Sequence, residues 1–220
     1  MFKNISITFS LMFLISCSSF STNNIAPGYL ETFKSIKNAV MGFESEFITR
    51  ELVNNIPYAS LTLKIGKGPK GLLILESLKN EKSYWVSADS IYLVIKDGRI
   101  IRTEGLENDL KAIIYPRISF KEILDGEFKN FKAYYSYENP ELNNLELQLN
   151  YSLIRKEEVN VLGRTMDLVL VHEDIFNEQL GWKFTNKYWL DDDYFIWKSV
   201  QYLSPLVPEF NIEITKKPST

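Results

Sequence analysis

The sequence predicts a mainly β, β-rich α+β fold: a curved antiparallel sheet or open half-barrel with a few short helices. Three observations carry this. Aromatic residues make up 14% of the chain, as 12 Tyr, 14 Phe and 4 Trp, and with many β-branched residues they suit a pleated, half-buried surface. Short runs of period two recur along the chain, separated by Gly, Pro, Asn and Asp. One connection, Asp97-Gly98, is a strong hairpin signal, because both residues tolerate the positive φ angles of a type I′ turn.

The elements follow in order. Residues 29–41 place Leu30, Phe33, Ile36, Val40 and Met41 at spacings of three and four, which predicts an amphipathic helix stopped by Gly42. From Pro57 the period changes to two. Residues 58–65, 72–78, 82–88, 91–95 and 99–103 read as five strands joined by short turns, an antiparallel meander. Residues 106–114 and 119–124 read as two short helices, the second capped by Ser119. Strand character returns at 128–137 and 145–154, where Leu145, Leu147, Leu149, Tyr151 and Leu153 alternate with polar residues. A hairpin is expected from 159–162 and 166–172 around Gly163-Arg164. Residues 181–190, 194–203 and 210–215 complete the sheet.

The chain is expected to hold one domain, 29–220, behind two processing segments. An apolar run of about a dozen residues after Lys3 is too short to span a bilayer, which takes roughly 20. Residues 1–16 therefore read as a signal peptide. Leu14-Ile15-Ser16-Cys17 resembles a bacterial lipobox, which makes Cys17 the expected diacylglycerol acceptor and first mature residue. The competing reading is a cysteine that happens to lie in an ordinary secretory signal. Against it, Cys17 is the only cysteine and stands where the lipobox requires one. Residues 17–28 are small, polar and turn-forming, as a tether needs. Ser18, where a retained inner-membrane lipoprotein usually has Asp, points to the outer membrane, with the chain facing the periplasm. A formal charge of −3 and the lack of any basic stripe argue against a nucleic-acid partner.

Few residues suggest chemistry. His172, the sole histidine, is expected to end a strand and titrate ordinarily; a metal site there, without a second His or a Cys, would have to be carboxylate-rich. Asp191-Asp192-Asp193 lacks the spacing of a calcium loop and reads as a solvated turn. Glu173 with Asp174, or Asp191 with Glu209, would form a glycosidase pair only if the fold brought them to a suitable separation. In 182–190, Trp182, Phe184, Asn186, Tyr188 and Leu190 share one face, and Lys183, Thr185, Lys187 and Trp189 the other. Core packing accounts for most of these rings. Trp189 and Lys187 are the candidates for an exposed patch that binds glycan or a protein partner.

Several separated motifs, in order, resemble the YjbF and group 4 capsule GfcB lipoprotein family. They are Ile56-Pro57-Tyr58-Ala59-Ser60-Leu61, Ile65-Gly66-Lys67-Gly68-Pro69, Trp85-Val86-Ser87-Ala88-Asp89 and Lys96-Asp97-Gly98-Arg99-Ile100, then Leu162-Gly163-Arg164, residues 181–189 and residues 195–205. The resemblance implies an outer-membrane lipoprotein that serves assembly or export of an exopolysaccharide or capsule. The implied partners are an outer-membrane β-barrel and a soluble periplasmic exopolysaccharide protein, besides the polymer itself. It implies no enzymatic activity, no cofactor and no catalytic residues. Two other classes compete: a lipid or lipoprotein carrier, which needs a deep apolar cavity, and a polysaccharide-modifying enzyme, which needs convergent carboxylates or a metal.

Overall fold

The structure is a computed structural model that describes residues 48–116, 118–126 and 130–218. The expected signal peptide, the tether with Cys17 and the helix at 29–41 lie outside the described residues. The described chain begins with helix α1 (Arg50–Asn55) and a meander of five strands: β1 (Ser60–Ile65), β2 (Lys70–Lys79), β3 (Lys82–Ser87), β4 (Tyr92–Lys96) and β5 (Arg99–Glu104). Then come β6 (Leu110–Ile114), helix α2 (Phe120–Leu124), β7 (Asn130–Tyr137), β8 (Leu142–Val161) and β9 (Arg164–Asn177). The last strands are β10 (Trp182–Leu190), β11 (Ile196–Gln201) and β12 (Phe210–Lys216).

All twelve strands form one antiparallel sheet in the order β5-β4-β3-β2-β1-β12-β11-β10-β9-β8-β7-β6. Two meanders are thus stitched together where β1 pairs with β12, with Leu63 opposite Ile212. The two ends of the sheet, β5 and β6, are neighbours in sequence. A short connection therefore forces the edges together, and the sheet curls into a nearly closed barrel, as the fold class predicts. At the seam the Leu110 N–H donates to Thr103 Oγ1 (2.9 Å), and Thr103 Oγ1 donates to Asp109 (2.8 Å).

The barrel is filled. Leu61, Leu93, Leu147, Val171, Ile175 and Phe210 are fully buried within it, each contributing about 1.5–3 kcal/mol relative to exposure. A smaller core lies outside the wall, where Val53 and Ile56 pack on Leu72 and Ile74 while Leu73 between them points inward. Burial on both faces explains why β2 reads as a continuous apolar run. Helix α1 is capped by Thr49, whose hydroxyl accepts from Leu52 N–H (3.2 Å), and it ends just before Pro57. Its Arg50 donates to the carbonyls of Val161 (2.7 Å), Leu162 (3.0 Å) and Thr215 (2.7 Å).

The structure corrects three sequence expectations. Residues 106–114 are a turn followed by strand β6, because Asp109 accepts the N–H groups of Gly105 and Leu106 and Leu110 then registers opposite Tyr137. The separate runs at 145–154 and 159–162 are one twenty-residue strand, β8, with an irregularity between Leu153 and Arg155. The turn that follows centres on Leu162 (φ 48°) and Gly163 (φ 79°), one residue earlier than expected. Helix α2 is as predicted: Ser119 Oγ accepts from Glu122 N–H, and the Glu122 carboxylate accepts from Ser119 N–H (2.7 Å). That bond from Ser119 holds the Glu122 pKa below its usual value.

Candidate functional site: a cleft at one end of the barrel

One end of the barrel is open. There the β2–β3 turn, the β4–β5 turn, the start of α2, the β10–β11 loop and the residues after β12 surround a cleft of about 800 Å³. Its floor is Trp85, Ile95, Phe120, Ile196 and Ile214. The rim consists of tight turns with left-handed residues: Asn80 and Glu81 (φ 52° and 61°), Asp97 and Gly98 (φ 49° and 72°), and Tyr194 (φ 62°). Asp97-Gly98 forms the expected I′ turn. Gly98 is needed twice over, since a Cβ there would also lie 2.0 Å from Ile196 Cδ1.

Beneath the cleft, α2 inserts Phe120 over a charged residue in the interior. Arg99 of β5 is buried, with its Cζ 4.1 Å from the Phe120 ring centroid. Its Nε–H donates to Glu173 of β9 (3.3 Å) and its Nη2–H to the Tyr151 hydroxyl of β8 (3.0 Å). The Glu173 carboxylate also accepts from Tyr151, from Tyr188 (2.9 Å) and from Asn186 Nδ2 (2.7 Å). Burial opposes the charge on Arg99, but Tyr151 and Glu173 outweigh it, so its pKa lies above the ordinary value. Burial raises the Tyr188 pKa, and Glu173 beside it raises it further. These hydroxyls therefore stay protonated as donors. The network ties edge strand β5 to the opposite wall of the barrel. Gln201 of β11 does the same, accepting from Ile100 N–H (3.0 Å) and donating to Gly98 C=O (3.0 Å).

The residues singled out from sequence do not assemble into one site. Glu173 is 1% exposed and faces inward, whereas Asp174, on the opposite face of β9, accepts from Thr185 (2.6 Å). Neighbours on a strand point apart, so they cannot act as a glycosidase pair. Asp191 and Glu209 lie at opposite ends of the barrel, since Asp191 leads from β10 toward the cleft and Glu209 precedes Phe210, which pairs with Gln201 at the far end of β11. Asp191 organises its loop, accepting from Trp197 Nε1–H (2.8 Å) and from the N–H groups of Phe195 (2.9 Å) and Asp193 (3.0 Å). His172 lies inside β9, not at its end, opposite Lys187. Burial, and then Lys187, hold its pKa below 6.5. Among the described residues, no three His, Cys, Asp or Glu side chains are placed to hold a metal.

Trp189 is not exposed as expected. It is 9% exposed, and its Nε1–H donates to Glu157 of β8 (2.6 Å). Leu170 of β9 lies opposite Trp189, and the tip of the β8–β9 hairpin brings Arg164 to 5.2 Å from the Trp197 ring centroid. A long-range contact of this kind leaves no local pattern to read. Lys187 is half-buried beside His172. The aromatic that does reach solvent at the cleft, Tyr194, is the first residue of the strand expected at 194–203, whereas β11 begins at Ile196. The three aspartates before it were the available signal, since they mark a loop there.

No helix among the described residues is long and apolar enough to cross a membrane. The chain is 24% identical over 155 residues to the uncharacterized lipoprotein GfcB of Escherichia coli strain K12, covering 68% of this chain and 72% of that one. It is 24% identical over 185 residues to the uncharacterized lipoprotein YjbF of the same strain, covering 79% and 82%. The fold matches the crystal structure of the hypothetical lipoprotein YmcC from Escherichia coli K12 with a TM-score of 0.72 at 17% identity, over 89% of this chain and 98% of that one. A nearly closed sheet of the same shape and a family match spanning residues 33–215 agree: the chain belongs to the YjbF family, the group 4 capsule polysaccharide lipoprotein gfcB.

Proposed function

We propose that this protein is an outer-membrane lipoprotein, anchored through diacylglycerol on Cys17 and facing the periplasm, that serves as a non-enzymatic accessory factor in assembly or export of a capsule or exopolysaccharide. The observation that carries this reading is the family match over residues 33–215, to a family described by its capsule polysaccharide lipoprotein. The lipobox at 14–17 supplies the anchor. Each buried acyl CH₂ contributes about 0.8 kcal/mol, so two or more chains make release negligible. Tethering then raises the effective concentration near an export barrel and its periplasmic partner.

The filled interior disfavours a carrier that encloses a lipid, and the dispersed carboxylates disfavour a hydrolase. The described chain starts beside Thr215, since Arg50 bonds the Thr215 carbonyl, and the residues just after β12 line the cleft. The first described residues therefore lie toward the cleft end.

Cells in which the chromosomal copy carries Cys17→Ser test the reading. Loss of the protein from the outer-membrane fraction together with reduced surface polymer is the expected outcome. Normal polymer in cells lacking the protein altogether would overturn it.

A further inference from the structure

The cleft floor and the cleft rim offer different things to a ligand. Trp85, Phe120, Ile196 and Ile214 retain at most 8% exposure, so a bound molecule gains little new contact with them. Tyr194, 38% exposed, is the large ring available at the rim, with Phe195 beside it. Its φ of 62° lies in the left-handed region, which disfavours a residue with a Cβ. The loop holds it there: Tyr194 N–H donates to Asp191 O (3.0 Å), and Asp191 accepts from Phe195 N–H on the other side. The backbone that carries the ring is therefore set at the cleft before anything binds.

Charge around the ring is unbalanced. Lys79, Lys82 and Lys121 line the cleft, and none is in an ion pair with a described residue. Lys217 joins them, its Nζ 4.2 Å from the Phe195 ring centroid. Of the three carboxylates at the rim, Glu81 is engaged by Lys96 (2.9 Å), which leaves Asp97 and Asp193.

We propose that this cleft binds an oligosaccharide that carries carboxylate groups. The apolar face of a pyranose stacks on Tyr194, the lysines meet the sugar carboxylate, and Asn80, Asp97 and Asp193 bond hydroxyls. Leu78, 47% exposed, and Tyr194 leave apolar surface open at the rim; an acyl chain would cover that surface but leave Asn80, Asp97 and Asp193 without partners, so the acidic sugar fits better. The proposal rests on the capsule or exopolysaccharide reading and names the site at which the polymer is held.

The test is calorimetric titration of the full mature chain carrying Cys17→Ser with three probes: oligogalacturonides, neutral galacto-oligosaccharides of the same length, and palmitate. The acidic probe should bind saturably and more tightly than the neutral one. Tyr194→Ala should weaken it roughly tenfold, the size expected for losing one stacked ring, and Lys121→Ala severalfold. Phe184→Ala, on β10 away from the cleft, should leave binding unchanged, and near-UV circular dichroism checks that each variant is folded. Absence of acidic-probe binding, binding indifferent to Tyr194→Ala, or saturation by palmitate in place of the sugar would each overturn the proposal. Export abolished by deleting the gene but normal with Tyr194→Ala would sink the cleft alone, whereas normal export on deletion would sink the parent reading.

Discussion

Arg99 carries a full charge inside an apolar barrel because Glu173 and Tyr151 share it and the Phe120 ring faces it. Removing one partner of such a pair strands the other without water, so Arg99→Ala should destabilise by about 3–5 kcal/mol in urea unfolding. Arg99→Met with Glu173→Gln should lose less, since no bare charge is left; equal losses for the two variants would contradict this account. His172 has a different signature. Its folded pKa is depressed, so the unfolded chain takes up the proton at higher pH than the folded one. The stability it contributes is present above pH 6.5 and is lost as pH falls toward the depressed value. The difference in urea midpoint between the parent and His172→Gln should therefore change sign or shrink on acidification through 6.5; a pH-independent difference would show that the residue is not coupled to folding. Tyr194 and Arg99 were not read as special in the sequence. The backbone angle of the first and the burial of the second depend on partners far along the chain.

Edge strands are where a curved sheet is most exposed to mispairing. Where β5 begins, the main-chain groups of Gly98, in the preceding turn, and of Ile100 are occupied by the Gln201 side chain from β11. Gln201→Leu should free both, at a cost of roughly 1–3 kcal/mol, and raise amide exchange at Ile100 before it does so in β1. Unchanged protection at Ile100 would mean that β5 is held by packing alone. Among the elements, the β1–β5 meander and the capped helix α2 were legible because their signals are local: Asp97-Gly98, the Asn80-Glu81 turn and Ser119 with Glu122. Residues 106–114 were misread as a helix because short apolar runs do not distinguish the two states. Asp109 and the pairing with β7 decide that segment. The length of β8 was missed for a related reason. Residues 155–158 are charged and looked like a break, yet Glu157 and Arg155 stay in register with Leu168 and Leu170 across the hairpin.

The two meanders share one continuous hydrophobic core, from Leu61 and Leu93 in the first to Leu147 and Val171 in the second. Burial common to both halves predicts that they unfold together. Far-UV dichroism, which follows strands, and tryptophan fluorescence, which follows Trp85, Trp182, Trp189 and Trp197, should therefore give the same urea midpoint. Separate midpoints would show that the β1–β12 junction is weaker than its register implies. Composition, strand period and turn residues were enough to establish a β-rich curved sheet, and the order of motifs was enough to place it in its family. Those features are written in neighbouring residues, which is why a linear reading finds them. Barrel closure, the Arg99 strut, the burial of Trp189 and the cleft with Tyr194 on its rim were decided only in three dimensions. Each arises from residues tens of positions apart meeting once the sheet has curled, and no local spacing encodes such a meeting.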